Sequence, residues 1–368
     1  MYAANVSGSV TILLADNTYD LTDSLSLSEN ADNVIVRSLS GNRDNVILNG
    51  GGMTSGLSHV FQVAGNHVTI ADVTLGWVAN HGIQVHGEAD ADNLRVHNVR
   101  FVDTFEQMLK GSVSGNGLSA DHGIVEYCTF EFSSGQAEQD YTGGIDVHRG
   151  KFWLVRDNLF RNIRSPAGSS AEHAVHFWND SGNVIVERNM IINCDRGIGF
   201  GLGTQGHSGG IIRNNMIYND GAGSSDDVGI GLENAANVNV LNNTVYLEDY
   251  WAAIEYRFSG TTGGNIKNNL CNQQITERNG GSATLSHNII SAESSWFVNY
   301  STGDLHLNAT ITQAIDQAQI LAEVPDDIDS DLRPIGPAPD IGADEVIPES
   351  TMLCCIMILL LITTRSLK

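Results

Sequence analysis

One short phrase recurs along this chain and limits its fold more than any other feature. It reads "IADVTL", "VHNVRF", "VRDNLF", "VERNMI", "IRNNMI", "VLNNTV", "IKNNLC" and "LSHNII", with a polar pivot at Asp72, Asn98, Asn158, Asn189, Asn215, Asn243, Asn269 and Asn288. Cys128 of "EYCTF" fills the matching place between the second and third phrases. The steps of 19 to 31 residues are too short for a domain and suit one turn of a solenoid. Within each turn the pattern is that of short strands, as in "NVIVERNMII", and not the i, i+3, i+4 rhythm of a helix. A repeated Asn fits such a turn, because it tolerates left-handed backbone angles and its amide can bond to the copy stacked above. The expected fold is all-β, a single right-handed parallel β-helix in which no turn buries its own apolar face and neighbours stack into one core.

Composition agrees: 39 Gly, only 6 Pro and 7% aromatic residues suit many short strands joined by tight turns. A formal charge of −24 excludes a nucleic-acid partner, since a phosphate backbone needs a basic face to displace its counterions. Five cysteines without CxxC spacing indicate neither a disulfide framework nor a zinc site, so packed free thiols are expected. The β-helix is expected over residues 1–300, a closing segment over 301–348, and an apolar tail over 349–368. The apolar run in that tail is shorter than the roughly 20 residues of a membrane helix, so no membrane span is expected. The tail reads as an anchor remnant, a sorting signal or a reading-frame artefact. The first residues lack the basic and apolar regions of a signal peptide, and an export signal and an N-terminal cap are expected to be missing from this chain.

A second phrase follows each pivot: "GIQVHG", "MLKGS", "GIDVHR", "AVHFWN", "GIGFGL", "GIGLEN", "AIEYRF" and "QITERN". Its second and fourth residues are mostly apolar and should point inward. The third positions, Gln84, Lys110, Asp146, His176, Gly199, Gly231, Glu255 and Thr276, should then face solvent as one column. The fifth positions, His86, Ser112, His148, Trp178, Gly201, Glu233, Arg257 and Arg278, should form a second beside it. Strands stacked about 4.8 Å apart would bring Lys110, Asp146, His148 and His176 into one patch. The glycines after them would open a trough walled by Glu255 and Arg257. Long insertions beside the patch carry Asp121, His122, Tyr141, Glu172 and His173.

The Asn-pivot phrases, over roughly residues 8 to 300, resemble the pectate-lyase-like superfamily of secreted β-helix proteins. The stretch "DLRPIGPAPDIGADEV" is similar to the closing module at the end of many bacterial β-helix proteins. The resemblance implies a secreted or surface enzyme, expected as a monomer, acting on an acidic polysaccharide. A Lys followed by Tyr and then D-x-H is similar to the site pattern of mannuronan C-5 epimerases, usually Y-G-F-D-P-H. Lys110, Tyr141, Asp146 and His148 match by type and order, with two extra residues before His148 and Val147 in place of the proline.

Elimination across a uronate, or its epimerisation, needs a base, an acid and neutralisation of the carboxylate. The expected base is His148 and the acid Tyr141, with Lys110 and Arg257 as carboxylate-facing cations and Asp146 orienting His148 or Lys110. His176, Trp178, His173, Arg149, Glu255, Glu233 and His86 are expected to bind substrate, Trp178 by stacking. Each has an ordinary alternative: Asp146 closing a turn or pairing with Arg149, and Arg257 pairing with Glu255 or Glu233. No cofactor motif is legible. Calcium is left open, although Asp226 and Asp227 read better as a turn than as ligands. The rival functions are a glycoside hydrolase, for which Asp146 with Glu172 or Asp180 would serve, and a non-catalytic carbohydrate-binding surface β-helix.

Overall fold

A computed structural model describes residues 9–54 and 56–347. The first eight residues, Ser55 and the apolar tail with Cys354 and Cys355 lie outside the described residues. The chain winds through three parallel sheets of 12, 10 and 10 strands, visiting each face once per turn and returning one rung further on. Strand Ile145–His148, for example, pairs in parallel with Leu109–Ser112 before it and His173–Trp178 after it. Among the described residues no helix is long and apolar enough to cross a membrane.

The interior is one continuous stack. Ile83, Leu109, Ile145, Val175, Ile198, Ile230 and Ile254 are fully buried on successive rungs, and register sets them directly above one another. Phe101, Phe130 and Phe160 stack nearly parallel with centroids 4.4 and 4.6 Å apart. Cys128, Cys194 and Cys271 are buried free thiols, as expected.

The Asn repeat builds a ladder inside one corner. The amide of Asn189 donates to Asn215 Oδ1 at 2.9 Å, Asn215 to Asn243 at 2.9 Å, and Asn243 to Asn269 at 3.0 Å. Each amide oxygen also accepts the backbone N–H of the Asn one rung back, as Asn215 does from Asn189 at 3.0 Å. Register corrects the reading of the pivot. The left-handed residue is not the ladder Asn but the one before it: Asp157, Arg188, Asn214, Asn242 and Asn268 have φ between 50° and 57°. Asp72 and Asn98, with φ of 56° and 52°, belong to that left-handed set. Buried Val73 and Val99 take the ladder slot in their turns. Cys128 does occupy the slot, accepting from Val99 N and donating its own N–H to Asn158 Oδ1.

After the last stacked strand, Ala283–Ser286, the chain forms an antiparallel pair, Phe297–Asn299 with Asp304–Leu307. It then runs back along the flank of the β-helix. Trp296, Phe297, Leu305 and Ala343 pack on Met216, Tyr218, Tyr246 and Leu270 in a second core. Contacts from Asp326 to Arg188 (3.0 Å) and from the Asn268 amide to Gln319 O (2.8 Å) spread this segment over several turns. The stretch expected to close the end is therefore a lateral strap, clamped by the buried Arg333–Glu345 pair at 2.9 Å.

Candidate functional site

The column expected from the sequence is present rung for rung. Register pairs Gln84 with Lys110, Lys110 with Asp146, Asp146 with His176, His176 with Gly199, Gly199 with Gly231, and Gly231 with Glu255. The expectation of an open polar face is corrected. Lys110, Asp146, His176 and Glu255 are only 9%, 2%, 1% and 1% exposed. They lie on the outer side of the sheet but are covered by neighbouring side chains, Glu255 for example by Arg278 and Tyr250. Solvent reaches the column through its fifth positions, where His148 and Trp178 are half-buried.

Asp146 is the hub. Its Oδ2 accepts from Lys110 Nζ at 2.6 Å and its Oδ1 from Trp178 Nε1 at 2.7 Å, with His148 Nε2 3.9 Å from Oδ1. Burial pushes this carboxyl up, but Lys110, His176 and His148 outweigh it and hold it below the usual carboxylate range. Lys110 is thus paired with Asp146, the residue expected to orient either Lys110 or His148. Trp178 is bonded through its indole N–H, lies parallel to His176 at 5.6 Å, and packs tilted against His148 at 4.2 Å. Burial, against the pull of Asp146 and with the repulsion of Lys110, His176 and Arg149, lowers His148 to about 4. At neutral pH it is a neutral imidazole whose Nε2 has no hydrogen-bond partner among the described residues. The Asn179 amide lies 3.4 Å from Nδ1. The atom facing the ring is the amide nitrogen, which donates, so Nδ1 accepts and the ring proton sits on Nε2, toward Asp146.

Buried polar atoms without partners concentrate here. Gln107 Nε2 and Oε1, His148 Nε2, Glu172 Oε2, His173 Nδ1 and His176 Nδ1 make six such atoms in this part of the fold. His173 and His176 have ring centroids 4.5 Å apart, and Glu172 Oε2 lies 4.0 and 3.7 Å from their Nδ1 atoms. Burial with repulsion from His176 and Arg196 lowers His173 well below the ordinary histidine range. Gln107 was not anticipated, and the missed signal is a further register. Three residues before each third position come His81, Gln107, Gly143, His173 and Arg196, a polar corner interrupted by one glycine. A Cβ on Gly143 would sit 3.1 Å from Glu172 Cβ and 3.4 Å from Gln107 Cγ, so this glycine makes the room in which the two side chains meet. His81 in the same corner is tied to Gln107 O at 2.8 Å and is lowered to about 3, chiefly by burial.

The glycine trough is also partly filled. A Cβ on Gly199 would lie 2.6 Å from the His173 ring, so that glycine seats His173. What remains is a cavity of about 60 Å³ lined by His173, Gly231, Glu233, Glu255, Arg257 and Arg196 among others. Its far wall is internally paired. Arg257 Nη1 binds Glu233 at 2.5 Å, Glu233 Oε2 accepts Gly203 N at 2.6 Å, and Glu255 takes Arg278 Nη1 at 2.7 Å and the Tyr250 hydroxyl at 3.0 Å. Arg257 stands four rungs from His148, about 19 Å by strand spacing. It is therefore not brought to the reacting carboxylate, and Glu233 and Glu255 are held by arginines instead of being free for sugar hydroxyls.

The other expected residues scatter. His86 pairs with Glu88 at 2.8 Å. Arg149 reaches Ser114 O at 3.4 Å, fastening an insertion. Tyr141 is 50% exposed in the loop leading to the His148 strand. Asp226 accepts from Asn219 and Gly223 while Asp227 binds Arg196 at 2.8 Å, contacts that shape the turn. A second acidic group, His306, Asp329 and Asp344, could hold a metal by proximity. There His306 already bonds Asp304 and Asp329, and Asp344 accepts Leu307 N.

The chain matches no protein-family model and no curated protein sequence. Among solved structures, an alginate lyase from Paenibacillus sp. str. FPU-7 superposes with a TM-score of 0.53 at 16% identity, over 76% of this chain and 91% of that one. The fold is the right-handed parallel β-helix. The pectate lyase Pel9A follows at 0.48 and 15% identity, over 94% and 98% of the two chains. The A-module of the Azotobacter vinelandii mannuronan C-5 epimerase AlgE6 gives 0.37 and 13%, over 77% and 91%. At such identities the likeness concerns the β-helix alone.

Proposed function

We propose that this protein is a secreted or surface enzyme that cleaves a uronate-containing polysaccharide by β-elimination, with His148 as the base. The observation that carries the reading is a neutral, half-buried histidine with an unpartnered Nε2, set beside an unusual gathering of partnerless polar atoms on the roofed face of a rigid solenoid. In this scheme the C-5 proton passes to the His148 imidazole, the C-4 to C-5 double bond forms, and the C-4 to oxygen bond breaks. The departing oxygen takes the phenolic proton of Tyr141, carried by the adjoining loop. Asp146, fixed by Lys110 and Trp178, stabilises the imidazolium that forms. A hydrolytic pair is less well supported, since its general acid needs a raised carboxyl and Asp146 is held low.

The test is ultraviolet absorbance of the unsaturated product on alginate, pectate, hyaluronan, chondroitin and ulvan. His148→Ala should lower the rate by roughly 100-fold or more, and Tyr141→Phe should lower kcat with the fold intact. New reducing ends without absorbance would indicate hydrolysis. Exchange of the C-5 proton with deuterated water without cleavage would indicate epimerisation. Binding without any turnover would leave the carbohydrate-binding reading.

A further inference from the structure

Lys110 is committed to Asp146 and Arg257 stands about 19 Å from His148, which leaves Arg149, bonded to Ser114 O at 3.4 Å, as a cation near His148. The structure points to another source of charge. We infer that Glu172, His173 and His176 form a three-ligand site for a divalent transition metal, of the zinc class, with an open coordination position. Glu172 Oε2, His173 Nδ1 and His176 Nδ1 lie within 4.8 Å of one another. All three are buried atoms with no hydrogen-bond partner among the described residues. His176 is 1% and His173 7% exposed. Buried polar atoms are almost always satisfied, so three that converge on one point indicate a missing common partner.

The donor chemistry selects the ion. Two imidazole nitrogens and one carboxylate suit zinc, cobalt, nickel or ferrous iron, whereas calcium takes oxygen ligands throughout. Ligand atoms about 2.0–2.1 Å from a tetrahedral metal lie about 3.4 Å apart. The separations of 4.0 and 3.7 Å from Glu172 must therefore close by only a few tenths of an ångström. The opposite faces of both rings are already positioned. His176 Nε2 meets Gly201 O at 3.2 Å, and the His173 ring rests on Gly199. Such outer contacts orient a metal-binding imidazole. Three protein ligands leave a fourth position free, as in catalytic zinc sites. A divalent ion with one carboxylate keeps a net charge of about +1, the complement of one uronate carboxylate. This last role rests on the elimination proposed above; the site itself does not.

The test separates the two. The purified full chain is stripped with a chelator, and zinc binding is followed by calorimetry and by metal content after gel filtration, with no polysaccharide present. Cobalt substitution adds a visible spectrum that reports coordination by nitrogen and oxygen. One equivalent of zinc is expected. Affinity should fall more than about 100-fold in His176→Ala and in Glu172→Gln, and stay unchanged in Asp329→Asn in the C-terminal strap. Glu172 is half-buried, so Glu172→Gln keeps the test usable if the histidine variants fail to fold. Absence of zinc binding, binding that survives Glu172→Gln in folded protein, or displacement of zinc by equimolar calcium each overturns the site. Elimination that persists after the zinc is removed would take the metal out of the reaction while leaving the His148 reading intact. Zinc bound at one equivalent with no elimination on any uronate would do the reverse.

Discussion

Replacing Lys110 with Met removes one partner of the pair at the centre of the column and leaves Asp146, with a side chain only 3% exposed, without its counter-ion. Removing one partner of a buried pair typically costs about 3–5 kcal/mol. The structure supplies an independent ceiling. In the variant Asp146 keeps the Trp178 indole bond and can escape its isolation by taking up a proton. At about pH 7 that uptake costs roughly 4 kcal/mol relative to an ordinary carboxyl, so the destabilisation should not exceed this. The sign with pH follows. In the wild type Asp146 is held low, so its contribution is present above the unfolded-state value near 3.8 and is lost as pH falls through the lower folded value. In the variant the folded carboxyl is raised, the native state binds the extra proton, and stability falls as pH rises. The gap between the two proteins should therefore widen by about 1.4 kcal/mol per pH unit between about pH 4 and 7. Urea unfolding at several pH values, followed by both far-ultraviolet circular dichroism and tryptophan fluorescence, measures it; coincidence of the two transitions checks that the solenoid unfolds as a unit. The double variant Lys110→Met/Asp146→Leu should recover to within about 1 kcal/mol of wild type. A Lys110→Met protein within about 1 kcal/mol of wild type at neutral pH, or a gap that ignores pH, would refute the buried pair.

Asn215→Ala removes a central rung of the amide ladder, stranding the backbone N–H and side-chain amide of Asn189 that Asn215 Oδ1 accepts. A loss of about 2–4 kcal/mol is expected by urea unfolding, with a smaller loss for Asn288→Ala at the part-buried end. Because His148 is lowered to about 4, the acid limb of kcat/KM should fall near that value and not near 6.5, in a profile over Asp146, Lys110, His176 and Arg149 as the facing charges. An acid limb at the ordinary histidine value would remove His148 as the base. Asp329 and Asp304 raise His306 to about 10 despite burial. Its stabilisation of the strap should be complete below about 6.5 and be lost as pH rises through about 10, and Asp329→Asn should shrink that alkaline loss, read by proteolysis of the strap.

Much of the candidate site was legible because strand register is a matter of counting. Gln84, Lys110, Asp146, His176 and Glu255 fall in one column whenever the phrases align, and the rungs pair in that order. The same counting misassigned Asp72 and Asn98, since one residue separates a left-handed corner from a ladder slot and both accept a small polar side chain. Gln107 and His173 lie in a register three residues ahead of the column, which the count of third and fifth positions did not include, and Glu172 lies in an insertion, which no periodicity describes. Arg257 was overvalued for a related reason: its column was right, but its partner Glu233 is a neighbour across rungs.

The sequence by itself determined the solenoid and the rung-to-rung order of the polar column, because each follows from short-range alternation repeated at a near-constant step. Only the tertiary structure decided that this column is roofed and that Lys110 is spent on Asp146. It also decided that the glycines seat His173 and that the C-terminal segment straps the flank. Those outcomes depend on how insertions and side chains of different turns compete for the same space and the same charges. That competition is settled by burial and by hydrogen-bond satisfaction, neither of which has a period to read along the chain.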